Sequence, residues 1–334
     1  MVKPSQSVID WLLEPEDPGV RYLALRDLVK AEGRELAVAR KAAHTSGPIA
    51  TVLSKMDKQG FWVVPGPGYN PKYNSTVWSV ILLGQLGASI EADERLATAC
   101  AYVLDHSLTQ YGQFTATGSP SGTLDCLQGN LCFSLLEIGC ADPRLDKAFD
   151  WMALSVTGEG IAPATDKSAK IRYYAGKCGP VFACSGTYGK SCAWGAVDVM
   201  LAFGRLPEAK RTSLIIKAIK TGVDFLFSTD PATADYPLGF PATSGKPSGN
   251  WWKFGFPNFY VSDILQIAES LVRLGYGQDP RLANTLKFIR EKQDGQGRWL
   301  MEYSYAGKTW VDFGPGKQPN KWVTLRALRV LNAI

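Results

Sequence analysis

A pattern that occurs four times along the chain is the feature that most restricts how it can fold. Each copy has an apolar segment, a turn of small residues, a polar start and a second segment with helical spacing. The copies occupy residues 77–107, 126–156, 192–228 and 260–293. Each copy predicts a pair of helices joined by a short turn. Stacked helical hairpins form either an open solenoid or a closed α/α barrel.

The turns inside the copies contain residues that end and start helices. A glycine just after a helix closes it by taking the left-handed conformation, and Gly87, Gly139 and Gly275 hold this position. In the third copy Leu206 and Pro207 take that role. The tripeptide Asp-Pro-Arg occurs at residues 142–144 and 279–281. Asp favours the N-cap of a helix and Pro its first position, so a second helix is expected to start there.

The segments outside the copies extend the helical series. Residues 5–56 predict about four short helices, so residues 1–56 are expected to pack on the repeats as an N-terminal segment. The apolar spacing of residues 321–333 predicts one more amphipathic helix. Almost no stretch alternates with the period of a strand. We therefore predict an all-α fold, a single α/α-barrel (toroid) domain over residues 1–334 with about a dozen helices.

Composition excludes several classes of protein. With 334 residues, of which 46% are hydrophobic, the chain has enough apolar material for a large core. Its two histidines make His-rich metal sites improbable. The 36 Lys and Arg form no run of five, which argues against a nucleic-acid-binding arm or a polybasic lipid patch.

The sequence offers no segment suited to crossing a membrane. The longest nearly apolar run, residues 77–88, has roughly a dozen residues, whereas a spanning helix needs about 20. The N-terminus has no apolar core of a signal peptide. We expect a cytoplasmic protein without a transmembrane segment and without a nucleic-acid partner.

Long loops separate the predicted hairpins. They cover residues 60–74, 112–123, 173–190 and 229–258, in each case after a second helix and before the next first helix. Loops of this length in a compact domain usually form site walls or lids. In a closed barrel they would surround one mouth, which is where we expect a functional site.

Three short motifs resemble those of a known superfamily. Gln293, Gly297 and Trp299 match the QW motif of squalene and hopene cyclases, Q-x(2–5)-G-x-W. Residues 60–62 (GFW) resemble a shorter copy and residues 112–114 (GQF) a decayed third. The chain thus resembles the terpenoid cyclase and protein prenyltransferase α/α-toroid superfamily, in particular its small bacterial squalene-cyclase-like proteins. The resemblance implies an α/α toroid whose central cavity takes an isoprenoid or another hydrophobic small molecule.

The catalytic motifs of that superfamily are missing from the sequence. It contains neither the acidic D-x-D-D string of protonating cyclases nor the D-D-x-x-D metal motif of ionising synthases. The prenyltransferase zinc ligands include an Asp and a Cys two residues later, whereas Asp125 and Cys126 are adjacent. The resemblance therefore implies a fold and a substrate class without assigning the reaction.

Cysteines near the starts of two first helices carry the first chemical signal. Cys126 and Cys192 occupy equivalent positions in successive copies, and Cys184 lies shortly before Cys192. These three thiols are candidate ligands of Zn²⁺ or another thiophilic metal. Alternatively, Cys126 or Cys192 acts as a catalytic thiol, with Asp125 as the carboxyl partner of Cys192. The third interpretation is that the cysteines are small buried hydrophobes.

Aromatic and acidic residues around the loops carry the second signal. The candidate substrate-binding residues are Tyr69, Tyr73, Trp78, Tyr236, Trp251, Trp252, Phe256, Tyr260 and Trp310. Aromatic faces attract cations, and an apolar pocket raises the pKa of a carboxyl group until it is a usable acid. Asp125, Asp235 and Asp263 are the candidate acids. The other interpretation is that the aromatics fill the barrel mouth and the aspartates cap helices.

Three functions remain open from the sequence. The first is an isomerase or lyase of the terpene-cyclase-like class that starts isomerisation, cyclisation or dehydration by proton transfer. The second is a metalloenzyme with a Cys-ligated metal at the barrel mouth. The third is a non-catalytic toroid that binds a lipid or a peptide.

Overall fold

Helices make up the regular structure of the chain. A computed structural model describes residues 4–173, 176–236 and 249–334. Within these ranges there are thirteen α-helices, short 3₁₀ and π turns and isolated β-bridges, but no β-sheet. The prediction of an all-α fold is confirmed.

The N-terminal segment contains four short helices, as predicted. They are α1 (Gln6–Leu12), α2 (Pro18–Ala24), α3 (Gly33–Thr45) and α4 (Gly47–Leu53). A single π-helical turn, Leu25–Val29, continues α2. Pro18 at the first position of α2, with the side chain of Asp17 accepting a hydrogen bond from the Val20 N–H, sets the start of that helix.

All four predicted hairpins are present, and one further helix ends the chain. The hairpins are α5 (Thr76–Gln85) with α6 (Arg95–His106), α7 (Asp125–Ile138) with α8 (Arg144–Thr157), α9 (Ala193–Arg205) with α10 (Ser213–Leu226), and α11 (Ile264–Arg273) with α12 (Ala283–Glu291). The predicted C-terminal helix is α13 (Lys321–Asn332).

The two helices of each hairpin differ in burial. The first helices are apolar on nearly every side and almost entirely buried; residues 76–84 of α5, for example, are all buried. The second helices bury one face only. A helix that is apolar all round belongs in a protein interior, and a one-sided helix belongs at its surface. The first helices therefore form the interior layer and the second helices the outer layer.

Contacts between the inner helices follow the order of a ring. Each first helix packs on the next, from α5 through α7, α9 and α11 to α13, and α13 packs on α2 and the π turn. Leu23 of α2 lies against Gly87 at the end of α5. These are the contacts that a six-membered ring requires, while the α/α toroid itself stays a prediction.

The two best QW-like motifs make the same pair of hydrogen bonds. The indole N–H of Trp62 donates to the Val52 carbonyl of α4 (2.8 Å), and its backbone N–H donates to Thr76 Oγ1 of α5 (3.1 Å). Trp299 donates likewise to the Ile289 carbonyl of α12 (2.7 Å) and to Thr324 Oγ1 of α13 (3.0 Å). Each tryptophan thus joins the end of one helix to the start of the next inner helix.

The third motif keeps the backbone arrangement with a different side chain. The backbone N–H of Phe114 donates to Gln128 Oε1 of α7 (2.7 Å), and Gln128 Nε2 donates to the Gly112 carbonyl (2.8 Å). Phe114 is fully buried, like Trp62 and Trp299. The three motifs therefore serve the same structural purpose at three places.

The predicted turn chemistry is also confirmed. Gly87, Gly139 and Gly275 have φ of 76°, 93° and 92°, in the left-handed region. Asp142 and Asp279 each accept a hydrogen bond (2.9 Å) from the backbone N–H two residues later.

The tight packing of Gly112 gives a stability prediction. Its φ is +88°, and a Cβ there would lie 2.1 Å from the Lys147 carbonyl oxygen of α8. Gly139 has a similar φ, but no atom lies within 4 Å of its Cβ position. We expect Gly139→Ala to lower the free energy of unfolding by about 1 kcal/mol through backbone strain. Gly112→Ala should cost about 3 kcal/mol or more, since α8 must also move.

Chemical denaturation of both variants measures this difference. Equal losses of stability in Gly112→Ala and Gly139→Ala would contradict the close contact between the third motif and α8.

Candidate active site

Six aromatic rings pack together beside the first turns of α5 and α11. This aromatic cluster consists of Tyr69, Tyr73, Trp78, Phe259, Tyr260 and Tyr305. The centroid of the Tyr73 ring lies 5.1 Å from that of Trp78, 5.1 Å from Phe259 and 4.5 Å from Tyr305. The Tyr73 hydroxyl donates to the Tyr260 hydroxyl (3.0 Å). The cluster brings together four predicted substrate-binding residues, Tyr69, Tyr73, Trp78 and Tyr260, from two loops far apart in sequence.

The aromatic cluster holds a positive charge. Lys72 Nζ lies 4.6 Å from the ring centroid of Tyr260 and 5.0 Å from that of Tyr69. The centroids of Trp78 and Tyr73 are at 5.9 and 6.0 Å. Attraction between a cation and an aromatic face extends to about 6 Å. Four rings therefore surround one ammonium group, although Lys72 itself is exposed.

A buried carboxyl group lies close to the cluster. Asp198, in the middle of α9, has no exposed surface, and its Oδ1 accepts a hydrogen bond from Gln266 Nε2 (3.1 Å). Burial raises the pKa of Asp198 well above its usual range, and the side chains of Gln266, Asn130 and Ser262 offset this only in part. Burial therefore favours the protonated, neutral form of this carboxyl group.

Side chains of α7 connect this carboxyl group to the cluster. Asn130 Nδ2 donates to the Phe259 carbonyl (3.1 Å) and to the Cys126 carbonyl (2.9 Å). Burial raises the pKa of Cys126, and the nearby Asp198 raises it further. After burial, Cys126 is the largest influence that raises the pKa of Tyr69. Cys126 thus lies near both Asp198 and Tyr69, and its thiol remains protonated.

Asp125, the first of the predicted acids, faces away from the cluster. It begins α7, and its surroundings are Ser155 of α8 and the loop that contains Cys178 and Gly179. Burial raises the pKa of Asp125 to about 8, although contacts with those three residues partly offset the effect. Ser155 Oγ lies 3.0 Å from Cys178 Sγ. The side chains of Asp125, Ser155 and Cys178 thus form a small polar cluster between α7 and α8.

The other two predicted acids have different surroundings. Asp263 is the N-cap of α11 and accepts the backbone N–H of Gln266 (2.8 Å). Both of its oxygens also bind the guanidinium group of Arg326, at 3.0 Å each. Asp235 is exposed. The capping interpretation therefore accounts for Asp263.

Three of the predicted aromatic residues belong to a separate group. The Tyr236 and Trp251 rings lie 5.8 Å apart. The indole groups of Trp251 and Trp252 donate to the carbonyls of Pro231 and Ala232, at 2.9 Å each. These side chains pack the loop of residues 231–254 together within its described part, without contact to Lys72.

The last two predicted aromatic residues lie elsewhere. Phe256 stacks on Trp322 of α13 with a centroid distance of 4.6 Å. The Trp310 indole donates to Ser79 Oγ of α5 (3.0 Å). Neither ring is among those around the Lys72 ammonium group.

The predicted thiol ligands form a pair and a single residue. Cys184 and Cys192 share a hydrogen bond between their thiols, which lowers the pKa of Cys184; the backbone N–H groups of Gly186 and Thr187 add to this effect. No three His, Cys, Asp or Glu residues in the described ranges are grouped as a metal site requires. A thiolate-bound metal at Cys126, Cys184 and Cys192 therefore stays a prediction, and no step below depends on a metal.

Asp198 is the main site residue that the sequence reasoning missed. It is the only charged residue in residues 193–204, a helix that is otherwise apolar. A single carboxyl group in an apolar helix has to be buried, so this sequence pattern was sufficient to predict Asp198 as a candidate site residue. Phe259 and Tyr305 gave no comparable signal, because their contacts with Tyr73 join distant parts of the chain.

No protein-family model matches the chain, and no curated protein matches it. The resemblance to the terpenoid cyclase superfamily therefore rests on the repeats and the QW-like motifs.

None of the described helices combines enough length with enough apolar character to cross a membrane.

The raised pKa of Asp125 predicts a pH-dependent stability. The folded protein keeps this proton up to about pH 8, whereas the unfolded chain releases it near pH 4. Between these values the folded state binds one more proton, so stability falls as the pH rises, by about 1.4 kcal/mol per pH unit. We expect Asp125→Asn to make the pH dependence shallower than that of the wild type by about 1.4 kcal/mol per pH unit, and the exposed control Asp235→Asn to keep the wild-type dependence. Denaturation curves at several pH values measure the slopes, and identical slopes in the two variants would contradict the buried, neutral Asp125.

Proposed function

We propose that this chain is an enzyme that protonates an isoprenoid or another hydrophobic small molecule at the aromatic cluster and so starts an isomerisation, a cyclisation or a dehydration. The observation that carries the proposal is the ammonium group of Lys72 among four aromatic rings. The buried carboxyl group of Asp198 is linked to these rings through Asn130, which binds the Phe259 carbonyl.

The rings supply what a carbocation needs. A carbocation is a strong electrophile, so aromatic faces can stabilise it where carbonyl or carboxylate oxygens would capture it by forming a C–O bond. Each contact contributes about 0.5–2 kcal/mol, the larger value where water is excluded. The Lys72 ammonium group shows that the faces of Tyr69, Trp78 and Tyr260 point to one place. Because Lys72 is exposed, an entering substrate can displace its side chain into water.

Asp198 is the acid in this proposal. Its O–H transfers a proton to one carbon of an alkene, the π electrons form the new C–H bond, and the neighbouring carbon becomes cationic. The resulting Asp198 carboxylate accepts a hydrogen bond from Gln266. When the carboxylate removes a proton from a carbon next to the cation, a new double bond forms and the acid is regenerated. In a dehydration the first proton goes to a hydroxyl oxygen, and water leaves before that last step.

The surroundings of the other carboxyl groups favour Asp198 as the acid. Asp125 is neutral but faces α8, and both oxygens of Asp263 are engaged by Arg326. Asp235 is exposed. Catalytic roles for Cys126 and Cys192 stay predictions.

Reaction in D₂O tests the proposal. The protein is incubated with squalene, farnesol or geranylgeraniol, and the recovered substrate and products are analysed by mass spectrometry for deuterium bound to carbon. The exchangeable Asp198 proton is replaced by deuterium, so protonation of an alkene carbon must place deuterium on the substrate skeleton. A dehydration instead transfers the deuteron to the leaving water, and the mass of the alkene product reveals it. We expect Asp198→Asn to reduce labelling at least 100-fold, the usual contribution of a general acid. Asp235→Asn, the same change at an exposed site, should leave labelling intact.

Two outcomes would contradict the proposal. Labelling that persists in Asp198→Asn would show that another group is the acid. Saturable binding of these molecules to the wild-type protein without any label would favour the non-catalytic lipid-binding toroid instead.

A further inference from the structure

A cleft at the other end of the inner helices has more positive than negative charge. Its volume is about 1,030 Å³, and it lies against the last turns of α7, α9, α11 and α13. The aromatic cluster, by contrast, lies beside the first turns of α5 and α11. The basic side chains that line the cleft are Arg26, Lys30, Arg205, Arg273 and Arg329, and the acidic ones are Asp27, Glu137 and Glu269. We call this region the basic cleft.

Each acidic group of the basic cleft is already paired. Arg26 binds both oxygens of Asp27, at 2.6 and 3.0 Å. Glu137 accepts from Arg205 Nε (2.5 Å). Glu269 pairs with Arg273 Nη2 of the same helix (3.0 Å). Each of these three carboxylates is therefore already engaged by an arginine, and the cleft still has five basic side chains against three acidic ones.

Arg329 shares its carboxylate partner with a second arginine. One of its terminal nitrogens touches Asp27, whose two oxygens are also held by Arg26. Its Nε is buried and has no hydrogen-bond partner in the described part of the chain. Burial lowers the pKa of Arg329, the charges of Asp27 and Glu269 oppose this, and those of Arg26 and Arg273 add to it. A buried donor without an acceptor is costly, and a nearby like charge adds to the cost.

Helix geometry alone does not explain this arrangement. Basic side chains are favoured at the C-terminal ends of helices, because the helix dipole is negative there. That effect accounts for the presence of arginines in the last turns. It leaves the buried Nε of Arg329 without an acceptor, which an anion in the cleft would supply.

The apolar residues that line the cleft indicate which chemical group a bound anion would have besides its charge. Ile9, Leu13, Leu28, Val272 and Val330 line it beside the arginines. The arginines also reach a narrow inner cavity of about 50 Å³, too small for more than a water-sized group. A ligand would therefore place its charged group at Arg329 and its apolar part along the wider cleft.

We propose that the basic cleft binds a small amphiphilic oxyanion, a carboxylate or phosphate head group on an aliphatic chain, with the head group at Arg329. The head group accepts the free Nε–H of Arg329 and balances the excess of basic side chains, while the chain covers Ile9, Leu13 and Val272. This site is separate from the aromatic cluster and does not depend on the reaction proposed for Asp198.

Calorimetric titration with three probes tests the proposal. The probes are octanoate, octyl phosphate and inorganic phosphate, each added to the full-length protein. We expect saturable binding of at least one octyl probe, and at least tenfold weaker binding of inorganic phosphate, which lacks the chain. Preference between the two octyl probes identifies the head group.

Variants locate the binding. Arg329→Gln should weaken binding of the octyl probe at least tenfold. Its stability is measured alongside, because the change also removes the ion pair with Asp27. Lys30→Gln, at the exposed rim, should weaken binding about threefold. Arg40→Gln is the matched control, because it removes one positive charge from an exposed pair with Glu91 (2.6 Å) outside the cleft. It should bind like the wild type.

The results that overturn the proposal are distinct from those for the catalytic site. Unchanged affinity in both Arg329→Gln and Lys30→Gln, or no saturable binding of either octyl probe, would show that the cleft is not an anion site. If Arg329→Gln does not fold, Lys30→Gln against Arg40→Gln decides alone. Asp198→Asn should bind the octyl probe normally, whatever its effect on deuterium labelling.

Discussion

The close packing of inner helices is the constraint on which the rest of the structure depends. At position 129 of α7, a Cβ would lie 2.4 Å from the carbonyl carbon of Asp198 in α9, so only glycine allows this approach. Helices that are apolar on every side have to be covered by one another. The same approach brings Asn130 and Asp198, two of the few polar residues of these helices, into one buried group. Packing and candidate chemistry thus have a common origin.

The two ends of the inner layer differ in chemistry because different groups surround the helix termini. Beside the first turns of α5 and α11, long loops supply aromatic rings, and burial keeps nearby carboxyl and thiol groups neutral. At the last turns, arginines and glutamates meet in a charged cleft. We propose that the first end stabilises a cation and the second an anion. Asp263 and Arg326 form a buried pair between α11 and α13 that joins the two helices.

Much of the fold was predictable from local sequence, because helix signals are local. Gly139 and the Asp-Pro-Arg turns marked the hairpins, and the apolar period marked α13. The site was predictable only in part. Tyr73 and Tyr260 were predicted as binding residues because they are aromatic residues around the loops. Their hydrogen bond joins residues 187 positions apart, and no local sequence pattern predicts it. Asp198 was not predicted, because the candidate acids were sought around the loops. The sequence feature that marks Asp198 is a single charged residue within the apolar helix α9.

The most direct test of the account asks whether Asp198 carries a proton. Infrared spectroscopy distinguishes a neutral carboxyl group from a carboxylate, and an Asp125→Asn background removes the contribution of Asp125, the other buried carboxyl group whose pKa is raised. At neutral pH we expect a neutral carboxyl band in Asp125→Asn that is absent from the double variant Asp125→Asn, Asp198→Asn. If both variants show the same neutral carboxyl signal, Asp198 is ionised and cannot be the acid at the aromatic cluster.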